Sequence, residues 1–307
     1  MKNGNILVMG DINVDLIING LSHIPLMGQE VFVDKIEFHT GGSATNVAVS
    51  LTKLGVSTAL HAFLGNDLFG RQIREQLSEI GLNQQLIRTV DDTGTGISVA
   101  ISNQADRAFI SDMGSNKHYD PLELPEEKYA EFSHVHLSLY KIDLTGPYKE
   151  VVDRAHNAGC TVSMDLGWTE FGDKKNDLLR LLERIDIFFP NINEARSLCG
   201  DHPVRELAQT LNGIVQGIVI VKMGEEGACC YCQDEFCESC FKVNAIDSVG
   251  AGDAFVAGFL REYTRGSAIS DCLTCGCACG AIAVTSKGGG DAGPTEEELA
   301  AFLKTYQ

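Results

Sequence analysis

Basic residues, tryptophan and long apolar runs are what this sequence has least of. Its 24 lysines and arginines face 42 aspartates and glutamates, for a formal net charge of −18. That balance argues against nucleic acid or an anionic membrane as partner, because a polyanion needs a compensating basic surface. No stretch approaches the ~20 apolar residues of a spanning helix. The first apolar run, Ile6-Leu7-Val8-Met9, is too short for the core of an export signal and is followed by no cleavage pattern. The expectation is a cytoplasmic protein. No internal repeat, coiled coil or low-complexity tract is present, so solenoid and fibrous architectures are set aside.

What is present is enough apolar material for a large core: 44% of 307 residues are hydrophobic, and one domain over 1–307 is the default. The eleven cysteines, without an export signal, read as thiols. Cys272, Cys275 and Cys279 recur at helical spacing among Gly276, Ala278 and Gly280, as in the tightly packed small-residue face of a buried helix. Cys229, Cys230, Cys232, Cys237 and Cys240 contain one Cys-x-x-Cys pair with no second pair at zinc-finger spacing, so structural zinc is the weaker reading.

Short β-branched runs at Ile6–Met9, Thr58–Leu64, Val135–Leu139, Thr161–Met164, Ile185–Phe189 and Ile218–Lys222 alternate with amphipathic stretches. This predicts an α/β fold with a doubly wound, mainly parallel sheet flanked by helices on both faces. One helix carries its stripe on Ala44, Val47, Ala48, Leu51 and Leu54 and stops at Gly55; another uses Phe69, Ile73, Leu77 and Ile80 and stops at Gly81. Residues 14–39 and 95–113 break the rhythm with strand-like stretches lacking a long helix. They read as a small β-rich lid or, alternatively, as edge strands of the main sheet.

The segment Asp247-Ser248-Val249-Gly250-Ala251-Gly252-Asp253 precedes an apolar-periodic helix. Its glycines permit a tight turn with exposed amides, and a helix N-terminus favours anions such as a phosphoryl group. Asp253 at that end is kept ionised and can accept a hydroxyl proton. The plainer reading is a glycine turn with an N-terminal charge.

This segment resembles the C-terminal signature of the ribokinase-like, or PfkB, carbohydrate kinases. Gly41-Gly42-Ser43-Ala44-Thr45-Asn46 resembles their N-terminal signature, a double glycine followed four residues later by asparagine. Asn191-Ile192-Asn193-Glu194 looks like their Asn-x-x-Glu motif, and Lys222-Met223-Gly224-Glu225-Glu226-Gly227 like their nucleotide segment. The resemblance spans nearly the whole chain. It implies ATP-dependent phosphorylation of a hydroxyl of a sugar or sugar-like molecule, with Asp253 as general base and Gly250, Ala251 and Gly252 as the anion cradle. It also implies ATP and Mg²⁺ as cofactors, and K⁺ or another monovalent cation.

Each matched position has its own physical reading. Gly41 and Gly42 let backbone approach a ligand, and Asn46 lies about 200° from Ala44 around the helix, free to meet hydroxyls. Asn13 and Asp15 share one face of an extended segment after the first strand and match sugar-binding positions, with Asp11 a third candidate or a turn cap. Glu194 suits Mg²⁺, directly or through water, with Asn191 beside it, although the pair is also what a capping box requires. Lys222, Gly224, Gly227 and Ser248 are assigned by resemblance to the nucleotide side. A hairpin turn explains the glycines equally well. The family also suggests a monovalent cation among Asp247, Val249, Val284, Lys287 and Gly289, mostly through backbone, where a plain glycine loop is the alternative.

Departures matter too. Ribokinase has Lys-Gly-Ala where this chain has Ser43-Ala44-Thr45, so ribose specificity does not transfer. Of an Asp-x-Asn-x-Arg stretch found in several sugar kinases, only Asp165 remains. Arg107 at the lid turn reads as a solvated charge. A nucleoside kinase, with Phe38 and His39 stacking on a base, is the nearest alternative, and a non-catalytic sugar sensor a more distant one. Pairing of lid strands in a homodimer is a further expectation from the family.

Overall fold

The computed structural model describes residues 4–306 apart from 19, 20, 22, 103–106, 168, 169, 216, 233, 234, 240 and 286–292. The chain opens with strands β1 (Ile6–Met9), β2 (Asn13–Ile18) and β3 (Ile36–Gly41), then helix α1 (Ser43–Lys53). It continues through β4 (Thr58–Gly65), α2 (Leu68–Ile80), β5 (Ile87–Val90), β6 (Gly96–Ser102), β7 (Arg107–Asp112), β8 (His134–Leu139), α3 (Thr145–Asn157) and β9 (Thr161–Leu166). The second half supplies α4 (Lys175–Leu182), β10 (Ile187–Phe188), α5 (Ile192–Cys199), α6 (Val204–Val215), β11 (Ile218–Lys222), β12 (Ala228–Cys232) and β13 (Glu235–Ser239). Three helices close the chain: α7 (Ala251–Arg265), α8 (Ile269–Ala283) and α9 (Glu296–Thr305).

Nine strands form one sheet in the order β13-β12-β11-β10-β9-β8-β1-β4-β5. All neighbours are parallel except at one end, where β11, β12 and β13 run antiparallel. The expected strands are all present. The run at Ile185–Phe189 is shorter as a regular strand, although the Asp186 and Phe189 amides still bond the β9 carbonyls of Val162 and Met164. Each face of the sheet has its own apolar core. α1, α2, α7, α8 and α9 cover one, and α3, α4, α5 and α6 the other, as parallel strands buried on both sides require.

Residues of the two irregular segments build a second, four-stranded sheet in the order β3-β2-β6-β7. Its strands pair only with one another among the described residues, so the edge-strand alternative does not hold. Turn residues 103–106 lie outside the described residues. The second sheet is joined to α2 through Asp67, which caps that helix by accepting from Gly70 N and also accepts from the amide and hydroxyl of Thr95, just before β6.

Helix stops follow the glycines. Gly55 and Gly81 take left-handed φ of 76° and 84° after α1 and α2. Cys229 and Cys230, being adjacent in β12, point into opposite cores, so they cannot share one ion. Among the described residues no group of three or more His, Cys, Asp or Glu converges as a metal site, and none of their helices is long and apolar enough to cross a membrane.

Candidate active site

Connections leave β1 in opposite directions towards β4 and β8, and the carboxyl ends of such strands border a crevice. From β1 the chain turns through Asp11 into β2. Asp11 Oδ1 accepts from Ala44 N at 3.1 Å, and its carbonyl accepts from Thr45 Oγ1 at 2.9 Å, tying this turn to the start of α1. Gly42 is the N-cap of α1 at φ 99°. A Cβ there would lie 2.7 Å from the Asp11 carbonyl oxygen and 3.1 Å from Asn13 Oδ1, so a side chain would force the two loops apart. Asn13 Nδ2 donates to Asp15 Oδ1 at 2.8 Å, and the Asp15 carboxyl occupies the space a Gly41 side chain would need. Asn13, Asp15, Gly41 and Gly42 therefore form one wall. Asn116, unmarked by any sequence motif, pins it from behind: its Nδ2 donates to Ile12 O at 3.0 Å and its Oδ1 accepts from Ile12 N at 3.3 Å.

The start of α7 faces the start of α1. Gly250 is its N-cap in the left-handed conformation, and Ala251, Gly252 and Asp253 form the first turn, whose amides have no intrahelical acceptor. Asp253 Oδ2 accepts from Asn46 Nδ2 at 2.8 Å, and its Oδ1 from Ser43 Oγ at 2.9 Å. Two helix N-termini thus converge on one carboxylate. Asn46 is only 6% exposed: α7 covers α1 on that side, so the face opposite Ala44 is closed rather than open. Its Oδ1 has no hydrogen-bond partner among the described residues.

Asp165, at the end of β9, also belongs here. Ser43 Oγ lies 3.3 Å from Asp165 Oδ2 as well as beside Asp253. Burial, and then the charge on Asp165, push the Asp253 carboxyl up to about 7, against the pull of Asn46, Lys222 and Ser43. Burial would raise Asp165 too, but His136 and Lys222 hold it below the usual carboxylate value. Asp11 rises to about 6, mainly by burial, and Glu194 to about 7 for the same reason, with Lys222 opposing. Lys222 is the cation common to three of these acids. Its Nζ lies 3.4 Å from where a Gly252 side chain would begin, against the first turn of α7.

Asn191 and Glu194 form the capping box of α5: Asn191 Oδ1 accepts from the Asn193 and Glu194 amides, and Glu194 Oε2 accepts from Asn191 N at 2.8 Å. The Asn191 backbone bridges to Lys222, which brings α5 beside the end of β11. Gly224 and Gly227 shape a short 3-10 turn joining β11 to β12, the hairpin-turn reading. Ser248 is exposed before α7, its carbonyl accepting from Ala251 N. Val249 N donates to Asp247 Oδ1 at 3.0 Å. The Val284 carbonyl accepts from both Ile246 N and Asp247 N, which engages it in backbone pairing. Lys287 and Gly289 lie outside the described residues. Phe38, considered for base stacking, stacks on Phe69 with ring centroids 5.8 Å apart and packs on the core.

Comparison with known proteins fits this geometry. Residues 3–296 match the pfkB family carbohydrate kinase. The chain is similar to an ATP-dependent ribose-1-phosphate kinase of Halopiger xanaduensis, 30% identical over 97% of each chain. It is also similar to a nucleoside kinase of Methanothermobacter thermautotrophicus, 28% identical over 91% of this chain and 88% of that one. Among solved structures, a putative ribokinase II from E. coli in complex with ATP and Mg²⁺ superposes with a TM-score of 0.86 over 98% of this chain and 99% of that one, at 23% identity. A match over nearly the whole chain, with both glycine signatures folded against one carboxylate, makes this protein a member of the pfkB family of carbohydrate kinases.

Proposed function

We propose that the protein transfers the γ-phosphoryl group of ATP to a hydroxyl of a sugar or sugar-like molecule, with Asp253 as general base. The observation that carries this reading is Asp253 itself. Its carboxylate sits in the first turn of α7, where the amides have no intrahelical acceptor, and is held through Asn46 and Ser43 next to the wall of Asn13, Asp15, Gly41 and Gly42. The acceptor Oδ1 of Asn46 and the carboxylate of Asp15 suit sugar hydroxyls.

In the reaction, Asp253 takes the proton of the attacking hydroxyl as the new O–P bond forms and the bond to the ADP oxygen breaks. The amides of Gly252 and Asp253 and the ammonium of Lys222 bear the charge that spreads over the phosphoryl oxygens. The nucleotide would approach from the Asn191, Lys222 and Ser248 side. Mg²⁺ fits this donor set in the way that ion prefers: no all-protein cage exists among the described residues, and Glu194, with Oε2 engaged in the cap, would reach a hydrated ion held on the phosphates, supplying charge neutralisation there. The second sheet, bearing Asn13 and Asp15, would act as a lid that excludes water.

Asp253→Asn should abolish turnover by orders of magnitude while calorimetry still registers sugar binding; near-normal turnover would remove Asp253 from its role. A nucleoside in place of the sugar is the second reading, supported by the Methanothermobacter relative. Turnover of ribose, ribose 1-phosphate, fructose, 2-keto-3-deoxygluconate, adenosine and pseudouridine separates the two.

A further inference from the structure

The central strands carry a feature that a doubly wound sheet does not need. On one face, β8 presents His134, His136 and Ser138, and β9 presents Thr161, Ser163 and Asp165, paired in register as His134 with Thr161, His136 with Ser163 and Ser138 with Asp165. The alternate residues Val135, Leu137, Leu139, Val162, Met164 and Leu166 fill the opposite core. Five of the six polar residues are essentially inaccessible, and Thr161 at the far end is half-buried. Parallel strands covered on both faces are ordinarily apolar on both, and buried polar groups are costly unless partnered.

The partners run in one direction. His134 bonds Thr161 Oγ1 and Ser163 Oγ, each at 2.7 Å, and His136 Nδ1 bonds the same Ser163 Oγ at 2.8 Å. His136 Nε2 then lies 3.7 Å from Asp165 Oδ1, and Asp165 Oδ2 lies 3.3 Å from Ser43 Oγ, which bonds Asp253. Ser43 stands where the sequence departs from ribokinase. Its hydroxyl has one proton and two carboxylates within reach. With both acids ionised, it can satisfy only one. Once Asp253 holds a proton, Asp253 can donate to Ser43 Oγ while Ser43 donates to Asp165 Oδ2, so one hydroxyl serves both acids; Asp165 Oδ1 has no hydrogen-bond partner among the described residues. The arrangement is complementary to the base after it has taken the substrate proton.

We propose that Asp165, at the end of this polar ladder, is a positioning residue that sets the proton affinity of Asp253 through Ser43. The proposal rests on Asp253 being the base. The raised value of Asp253, with Asp165 as the charge named after burial, agrees with it. The other charged groups acting on Asp253 are Lys222 on β11 and Glu194 on α5, while Asp11 after β1 and His136 on β8 act on Asp165. Asp165 also acts on Asp11 and Glu194, whereas among the described residues the Ser43 hydroxyl hydrogen-bonds the two acids alone.

The test is the acid limb of kcat/KM against pH in purified enzyme with a turned-over sugar. Asp165→Asn removes the repelling charge and should move the limb down by about one unit or more. Ser43→Ala removes a donor to ionised Asp253 while Asp165 remains, and should move the limb up. Opposite shifts are a signature that loss of packing does not produce. Unmoved limbs, or shifts in the same direction, overturn the proposal. If Asp165→Asn does not fold, Ser43→Ala decides alone: an upward shift supports, while an unmoved or lowered limb overturns. An inactive Asp253→Asn beside unmoved limbs leaves the base assignment standing and removes only Asp165; an active Asp253→Asn removes both.

Discussion

A single carboxylate concentrates the conflict in this molecule. Asp253 is raised to about 7 by burial and by Asp165, so ionising it in the folded state costs stability that an unfolded chain, ionising near 3.8, does not lose. The sign follows: this contribution is intact below about pH 4 and is lost as pH rises through about 7. Asp253→Asn keeps the geometry, since its amide oxygen can accept from Asn46 and its amide nitrogen can donate to Ser43. The inactive variant should therefore be more stable than wild type at pH 8, on the order of 1–3 kcal/mol, with the gain shrinking as pH is lowered towards 4. Urea midpoints at the two pH values check this, and a destabilised variant at pH 8 would contradict it. Asp253 and Asn46 were legible because each lies in a glycine-marked signature. Ser43 lies in the same signature as Asn46 and Asp165 is what remains of an Asp-x-Asn-x-Arg stretch, but neither gains a role from sequence alone: a serine beginning a helix reads as a local residue, and Asp165 falls one position past the recognisable run Thr161–Met164. A further signal was its place at the carboxyl end of a parallel strand, where ligands gather. Its meaning depends on β9 lying beside β8 and near α1, which no local pattern encodes.

Between elements, the crossing of α7 and α8 is one of the close joints. A Cβ on Gly258 would come within 2.7 Å of the Cys275 carbonyl oxygen and of Cys279 Sγ. One of these atoms is backbone and cannot swing aside. Gly258→Ala should lower stability by about 1–3 kcal/mol through overpacking, and because α7 carries Asp253 on its first turn, it should lower kcat as well. Thermal unfolding and turnover measured on one preparation test this; an unchanged melting temperature would mean that the helices separate freely. The small-residue stripe of α8 was readable from the spacing of Cys272, Cys275 and Cys279. Its partner was not, since helical period identifies a buried face and not the helix that covers it. Likewise Asn191 and Glu194 fit both a cap and a phosphate-side role in sequence. The capping hydrogen bonds exist, and only the bridge from Asn191 to Lys222 ties that cap to the acidic cluster.

Across the whole molecule, the alternation of strand and helix foretold the large sheet, because its period is local and repeated. The smaller sheet was harder to read, since β2 pairs with both β3 and the distant β6. The sequence marks such segments only by the absence of a helix. Its attachments explain how it could serve as a lid. Asp11 and Gly42 lie where β2 and β3 meet the large sheet, and Asp67 ties Thr95, before β6, to α2. A ligand gripped by Asn13 and Asp15 on one side and by Asn46 and Asp253 on the other would join the two sheets and remove freedom at those few attachments. Amide hydrogen exchange in β2 and β6 should then slow when sugar and a non-hydrolysable ATP analogue are both bound, and slow less with either alone. Protection confined to α1, α7 and the large sheet would mean that the small sheet does not close, and that water is kept from the transferring phosphoryl group by the walls of the crevice instead.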